Sequence, residues 1–279
     1  MLGAAVMCAS LLVEGSVRAD PAGQGLSRGQ HFTVDPVADG LLIAGGAGFS
    51  GLLSLVLSTG EIKPTPPGDK NNLLSFDRWA VDQTIDSHAA LYSDIGLYSA
   101  VGFAVLDPIL SGVRDGWDAA LVDAVMYAET LALTETITDM TKIAVRRPRP
   151  IDYNCPTSSS STAPGCAATD LQLSFFSGHA STVASITATA TYLAFERAPD
   201  TPRPWITLGV GTALTAFVSY ERVRSGAHFP TDVLAGAMAG AAIGILVPHL
   251  HRHKEEAPPV WIGVEPLPAG AALSVGAKL

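Results

Sequence analysis

Charge is the scarcest property of this 279-residue chain: Asp, Glu, Lys and Arg make up 15% of it, against roughly 25% in an average soluble domain. With 48% hydrophobic residues, this excludes a disordered chain, which needs high charge and low hydrophobicity. Basic charge is the scarcer kind, 17 Lys and Arg against 26 Asp and Glu, for a formal net charge of -9. A general nucleic-acid binder carries a net basic charge, so no nucleic-acid partner is expected. Strand-like alternation is absent from Asp39 to His249. Cysteine is rare, with Cys8, Cys155 and Cys166 the only three.

The N-terminus lacks a basic leader. Its apolar stretch Leu2–Val13, followed by a V-x-A site at Val17-Arg18-Ala19, nevertheless reads as a secretory signal peptide over residues 1–19. Its removal would leave one cysteine pair. Cys155 and Cys166 flank the loop PTSSSSTAPG, and a disulfide there closes a ring of about twelve residues, adding roughly 2–3 kcal/mol in the chain-entropy model. Such a bond suits an oxidising compartment such as a periplasm; the alternative is two unpaired thiols.

Residues 20–38 read as a linker and 39–254 as one all-α domain, a bundle of about six core helices. Helices are expected over Leu41–Leu57, Phe76–Ser87, Ser93–Leu110, Trp117–Val145, His179–Glu196, Trp205–Val223 and Pro230–His249. Residues 255–279 form a tail with two short strand-like runs, Val260–Val264 and Ala272–Val275. A bilayer span needs about 20 mostly apolar residues. Residues 41–57 and 233–247 come close, whereas the 117–145 helix carries Asp118, Asp123, Glu129, Glu135 and Asp139. Charges at a bilayer centre are costly, so these must face a bundle interior or that helix does not span. A membrane-embedded bundle is expected, with a soluble exported bundle as the alternative.

The few basic residues are concentrated. Lys142, Arg146, Arg147 and Arg149 lie within eight residues, and Arg222 and Arg224 within three. Guanidinium forks match phosphate geometry. Between the clusters, Ser177-Gly178-His179 opens an apolar helix, and free N–H groups at a helix N-terminus bind anions. Ser177 is placed to cap that helix, and Gly178 admits a ligand close to the backbone. His228 follows Arg222 by six residues and Asp232 follows His228 by four. An acid beside a histidine can hold one ring nitrogen and leave the other free as nucleophile or base. No His, Cys or Asp cluster shows metal-ligand spacing; His249, His251 and His253, beside Arg252 and Lys254, read as a solvated helix end.

Taken in order, Lys142-x6-Arg149-Pro150, Ser177-Gly178-His179 and Arg222-x5-His228-x3-Asp232 resemble the signature of the type 2 phosphatidic acid phosphatase (PAP2) superfamily, which includes lipid phosphatases, bacterial acid phosphatases and vanadium haloperoxidases. The resemblance covers about residues 75–248. It departs where the family usually has Pro before Ser-Gly-His, here Phe176, and Ser before the third-motif Arg, here Glu221. A carboxylate beside Arg222 is expected either to pair with it and weaken phosphate binding or to point away.

The resemblance implies phosphomonoester hydrolysis through a phosphohistidine, with no cofactor. His228 would be the nucleophile, Asp232 its orienting partner and His179 the acid–base group. Lys142, Arg149, Ser177, Gly178 and Arg222 would hold the phosphoryl oxygens. The expected substrate is a phosphorylated lipid or small phosphate ester, handled in a bacterial-type cell envelope by a membrane protein with its site facing the periplasm, or by a soluble periplasmic one. Two alternatives are a vanadium-dependent haloperoxidase, in which His228 would ligate the metal, and a non-catalytic envelope bundle that binds anionic lipid. Topology adds a constraint: a cleaved signal followed by three spans puts the site inside, so one of these readings must yield.

Overall fold

The computed structural model of the protein describes residues 32–155, 173–252, 260–267 and 270–277. The signal-peptide reading and Cys166 lie outside the described residues. Helices occupy Pro36–Ser58 (α1), Ser75–Asp82 (α2), Ala89–Asp115 (α3), Trp117–Val145 (α4), Gly178–Arg197 (α5), Arg203–Arg224 (α6) and Pro230–Leu250 (α7), with short 3₁₀ turns at Lys70–Asn72 and Pro150–Asn154. The tail is an antiparallel hairpin of Val260–Leu267 (β1) and Gly270–Ala277 (β2), with Leu267 opposite Gly270.

Three helices differ from the sequence expectation in length. The first begins at Pro36, inside the segment read as a linker, because Asp35 caps it by accepting from the Val37 and Ala38 N–H groups. The second stops at Asp82, because Gln83 turns extended and its side-chain amide donates to the Val223 carbonyl of α6. α3 begins at Ala89 and runs through Pro108 to Asp115. Gly116, at φ 101°, ends it, a backbone angle that costs glycine no Cβ clash. α4 therefore starts at once and folds back on α3, where the Tyr127 hydroxyl donates to Asp107 at 3.0 Å.

Cross-contacts fix the direction of each helix. Ser50 and Ser54 of α1 donate to Asp139 of α4, and Gly46 accepts from Thr136, so α1 and α4 run parallel. Thr130 meets Thr189 and Thr138 meets Ser181, so α4 and α5 run antiparallel. The closest approach is that of α5 to the parallel α7. A Cβ on Gly236 would stand 2.6 Å from the Ser177 carbonyl oxygen, on Gly240 2.0 Å from that of Ser181, and on Gly244 2.3 Å from that of Ser185. Two rows of small residues, each at i, i+4, i+8 and so on one helix face, let the two backbones touch. The starts of α5 and α7 thereby lie side by side, at the same end of the bundle as the end of α4.

The distribution of polarity is inverted relative to a water-soluble bundle. Ser93, Thr130, Thr134, Thr138, Ser181, Ser185 and Thr189 are fully buried, while Val113 is 75% exposed, Tyr98 71% and Leu41 70%. α1, α3 and α7 are long and apolar enough to cross a membrane. The acids of α4 turn inward: Asp123, Glu129 and Asp139 are buried. Asp123 pairs with Arg197 at 2.6 Å and Glu135 accepts from Thr182 at 2.6 Å. This resolves the tension in the sequence, since acids that face a bundle interior are compatible with a helix lying among spans.

One sequence reading is overturned. His251 is not part of a solvated helix end. Its side chain is 15% exposed and lies between Asp39 and Glu129, because the start of α1 packs beside the end of α7 and Thr33 donates to the His251 carbonyl.

Gly240→Ala is expected to destabilise the protein by about 1–3 kcal/mol, the range for overpacking a tight contact. Gly48→Ala, where no atom lies within 4 Å of the added methyl, serves as the control and leaves the thermal midpoint in detergent unchanged or higher. Equal midpoints for the two variants would contradict the role given to the glycine row.

Candidate active site

The ends of α4 and α6 and the starts of α5 and α7 bring the three sequence segments together. Ser177 caps α5, accepting from the Ala180 N–H, and its own N–H donates to the Asp232 carbonyl at 3.1 Å. Gly178 opens the helix, and a Cβ on it would lie 3.6 Å from Lys142 Nζ. Lys142 also faces Asp139 at 3.6 Å. Arg222 is buried; its Nη1 donates to Ser93 of α3 at 3.4 Å, and its Nε has no hydrogen-bond partner. Arg149 begins the 3₁₀ turn, where its N–H donates to Asp152 at 2.7 Å.

His228, in the loop before α7, is buried. Its Nδ1 lies 2.7 Å from the Ser174 carbonyl oxygen. A carbonyl only accepts, so Nδ1 carries the proton and the Nε2 lone pair is left free. Burial holds the ring well below the usual imidazole pKa, with the Arg222, Arg149 and Lys142 cations pushing the same way. An unprotonated imidazole among fixed cations keeps its Nε2 lone pair available.

The structure corrects the role expected of Asp232. It makes no bond to His228. Asp232 sits in the first turn of α7, and its carboxylate folds back onto the Phe229 N–H at 2.8 Å. It also accepts from the Ser174 hydroxyl and from Arg147. The carboxylate thus acts on His228 through Ser174, whose hydroxyl it holds while the Ser174 carbonyl holds the ring. Arg147 is the second half of this frame. It donates to Asp77 at 2.8 Å and to Thr231 at 2.7 Å, and its guanidinium lies 4.0 Å from the centre of the Phe229 ring. Of the first basic cluster, Arg147 braces α2 against α7, and Arg146 is an exposed left-handed helix end at φ 51°.

Asp94 of α3 was given no role by the sequence. Its Oδ1 lies 2.8 Å from His179 Nε2. Burial and Arg222 push His179 down to about 4, against the upward pull of Asp94. The available signal was its isolation: Asp94 and Asp107 are the only charged residues between Ser93 and Leu110, and a lone acid on an apolar helix marks a functional position. Glu221 forms no ion pair among the described residues; consecutive helix residues point about 100° apart, so it lies off the Arg222 side. Phe176 is buried, edge-on to Phe175 with ring centres 6.0 Å apart. Cys155, which follows the 3₁₀ turn beside Arg149, is disulfide-bonded.

The fold is an all-α bundle in which a buried histidine, a buried arginine and a helix N-terminus lie at one end. Residues 123–256 match the model of the PAP2 superfamily, the family whose motif order the sequence resembles. Among solved structures it is similar to the first transmembrane PAP2 type phosphatidylglycerolphosphate phosphatase from Bacillus subtilis, at 18% identity and a TM-score of 0.42, with 77% of this chain and 94% of that chain covered. No curated protein matches the chain.

Inorganic phosphate brings negative charge to the pocket and stabilises the imidazolium, so it is expected to raise the titration midpoint of His179 from about 4 toward 6.5. Asp94→Asn removes the upward pull and lowers the midpoint of the phosphate-free protein. Histidine-ring NMR titrations of both proteins, with and without phosphate, check the two signs.

Proposed function

We propose that the protein is a membrane phosphatase that hydrolyses lipid phosphomonoesters through a phosphohistidine on His228. The observation that carries this reading is the committed tautomer of His228: a buried ring with Nδ1–H tied to Ser174 and Nε2 free under the charge of Arg222, Arg149 and Lys142.

In the first step Nε2 attacks phosphorus in line. The N–P bond forms as the bond from phosphorus to the leaving oxygen breaks. Lys142, Arg149, Arg222, Ser177 and the Gly178 N–H hold the equatorial oxygens, where charge accumulates. His179, protonated once the phosphate dianion is bound, gives its proton to the departing alkoxide. In the second step His179 takes a proton from water as the water oxygen attacks phosphorus. The N–P bond breaks, inorganic phosphate leaves, and His228 is restored. Fixed cations supply the charge stabilisation that a metal ion provides in other phosphoryl-transfer sites.

A lipid substrate is favoured by the walls of the bundle. A cavity of about 750 Å³ lies between α5, α6 and α7, lined by side chains such as Phe195, Leu208, Met238 and Ile245. Its lining includes Val233 and Ser219, next to Asp232 and one turn before Arg222. An acyl chain in this groove would place its phosphate at the pocket. The disulfide of Cys155, at the pocket end, favours a pocket outside the cytoplasm. α1 begins at the opposite end, so an outward pocket requires Pro36 on the inner side.

His228→Ala is expected to abolish phosphate release and labelling by an acid-labile phosphoryl group; full turnover in a folded variant would overturn the mechanism. Asp232→Asn is expected to lower both activity and thermal midpoint, because Arg147 then loses one of its two charged partners. Ala237→Phe, which fills the groove, is expected to cut kcat/KM for a long-chain lipid phosphate at least tenfold while leaving 4-nitrophenyl phosphate within threefold. Equal losses on both substrates would argue for a small soluble ester. Dependence of activity on added vanadate and peroxide would favour a haloperoxidase instead.

A further inference from the structure

Asp39 of α1, Glu129 of α4 and His251 at the end of α7 converge at the end of the bundle opposite the phosphate pocket. α7 has 21 residues between the two, which at about 1.5 Å per residue is roughly 30 Å. One carboxylate oxygen each from Asp39 and Glu129 and one nitrogen of His251 lie within 4.8 Å of one another. His251 Nε2 is 3.3 Å from Asp39 Oδ1 and 3.4 Å from Glu129 Oε2.

Three features distinguish this cluster from an ordinary ion pair. His251 Nδ1 lies 2.9 Å from the Val247 carbonyl oxygen, so Nδ1 carries a proton and Nε2 is the atom turned to the two carboxylates. That arrangement, with the far nitrogen fixed by a backbone carbonyl, is the one found behind metal-bound histidines. Second, Glu129 is 1% exposed, and its Oε1 has no hydrogen-bond partner. A buried carboxylate left this way is costly. Third, neither acid is paired with a Lys or Arg among the described residues. Once its protons are displaced, the cluster of two carboxylates and one imidazole carries two negative charges, which a dication balances.

We propose that Asp39, Glu129 and His251 bind a divalent transition-metal ion of the Zn²⁺ type, which clamps α1 to α4 and α7. The spacing suits it. A tetrahedral ion with bonds of about 2.0–2.1 Å sets its ligand atoms roughly 3.3–3.4 Å apart. A mixed imidazole and carboxylate set favours such an ion over Mg²⁺ or Ca²⁺, which take oxygen ligands. Asp39 is held for the task, since its Oδ2 accepts the Asp35 N–H at 2.7 Å and leaves Oδ1 toward His251. The fourth position opens where His251 and Asp39 remain 15% and 12% exposed.

The test is Zn²⁺ binding to the purified full chain in detergent, followed by metal analysis and by thermal unfolding. One Zn²⁺ per chain, with a raised midpoint that a chelator reverses, is expected. Glu129→Gln, which keeps the side-chain shape, and His251→Ala should each weaken binding at least 100-fold and remove the Zn²⁺-dependent rise. His228→Ala should bind Zn²⁺ as the unmodified chain does. Absence of stoichiometric Zn²⁺ would show that protons alone hold the cluster and would overturn the proposal. So would retained binding in Glu129→Gln and His251→Ala, or loss of binding in His228→Ala, which would place the ion in the phosphate pocket.

Discussion

Everything at the pocket depends on how closely α5 and α7 approach. Lipid tails are as apolar as leucine, so helices inside a bilayer associate through packing and hydrogen bonds. Gly236, Gly240 and Gly244 supply the packing, because any side chain there would overlap the carbonyl oxygens of Ser177, Ser181 and Ser185. Contact at that distance lets the Ser177 N–H reach the Asp232 carbonyl. The anion-binding start of α5 and the His228 loop at the start of α7 then share one space. A wider spacing would leave the same residues in the same order without a common pocket.

The Asp232 carboxylate sets the orientation within that space. It closes the first turn of α7, holds Ser174 and neutralises Arg147, while Arg147 carries the constraint on to Asp77 of α2. Removing one partner from such a buried charge network leaves the others unpaired, at a typical cost of about 3–5 kcal/mol. His228 is therefore aimed by a backbone carbonyl that is itself fixed by a hydrogen-bonded acid. The nucleophile needs no charged group against its ring, and its nitrogen stays unprotonated among three cations.

The bundle buries polar residues at both ends and along its axis beside apolar ones such as Met126, Ile186 and Leu193, and exposes many large apolar side chains. At one end Lys142, Arg149, Arg222 and Arg147 stand with Asp77 and Asp232. At the other end Asp39, Glu129 and His251 come together. Between them, threonine and serine pairs such as Thr130–Thr189 and Thr138–Ser181 hold the helices in register.

The sequence by itself determined the helices and the motif order. Apolar runs broken by Pro and Gly are local signals, so the expected helices fall on the observed ones, apart from the start of α1, the length of α2, where Gln83 answers a carbonyl on α6, and the ends of α3. Lys142, Arg149, Ser177, Gly178, His179, Arg222 and His228 stand out in the sequence because each sits at a helix edge in a recognisable order. Tertiary structure decided what sequence spacing cannot carry, which is how residues far apart in the chain are paired. It placed Ser174 between Asp232 and His228, joined Asp94 to His179 across 85 residues, and turned Arg147 away from phosphate. It also closed His251 between acids 122 and 212 positions earlier in the chain, because the start of α1 packs beside the end of α7. Helix formation is encoded over a few residues, whereas the partner of a buried charge depends on which helix faces contact.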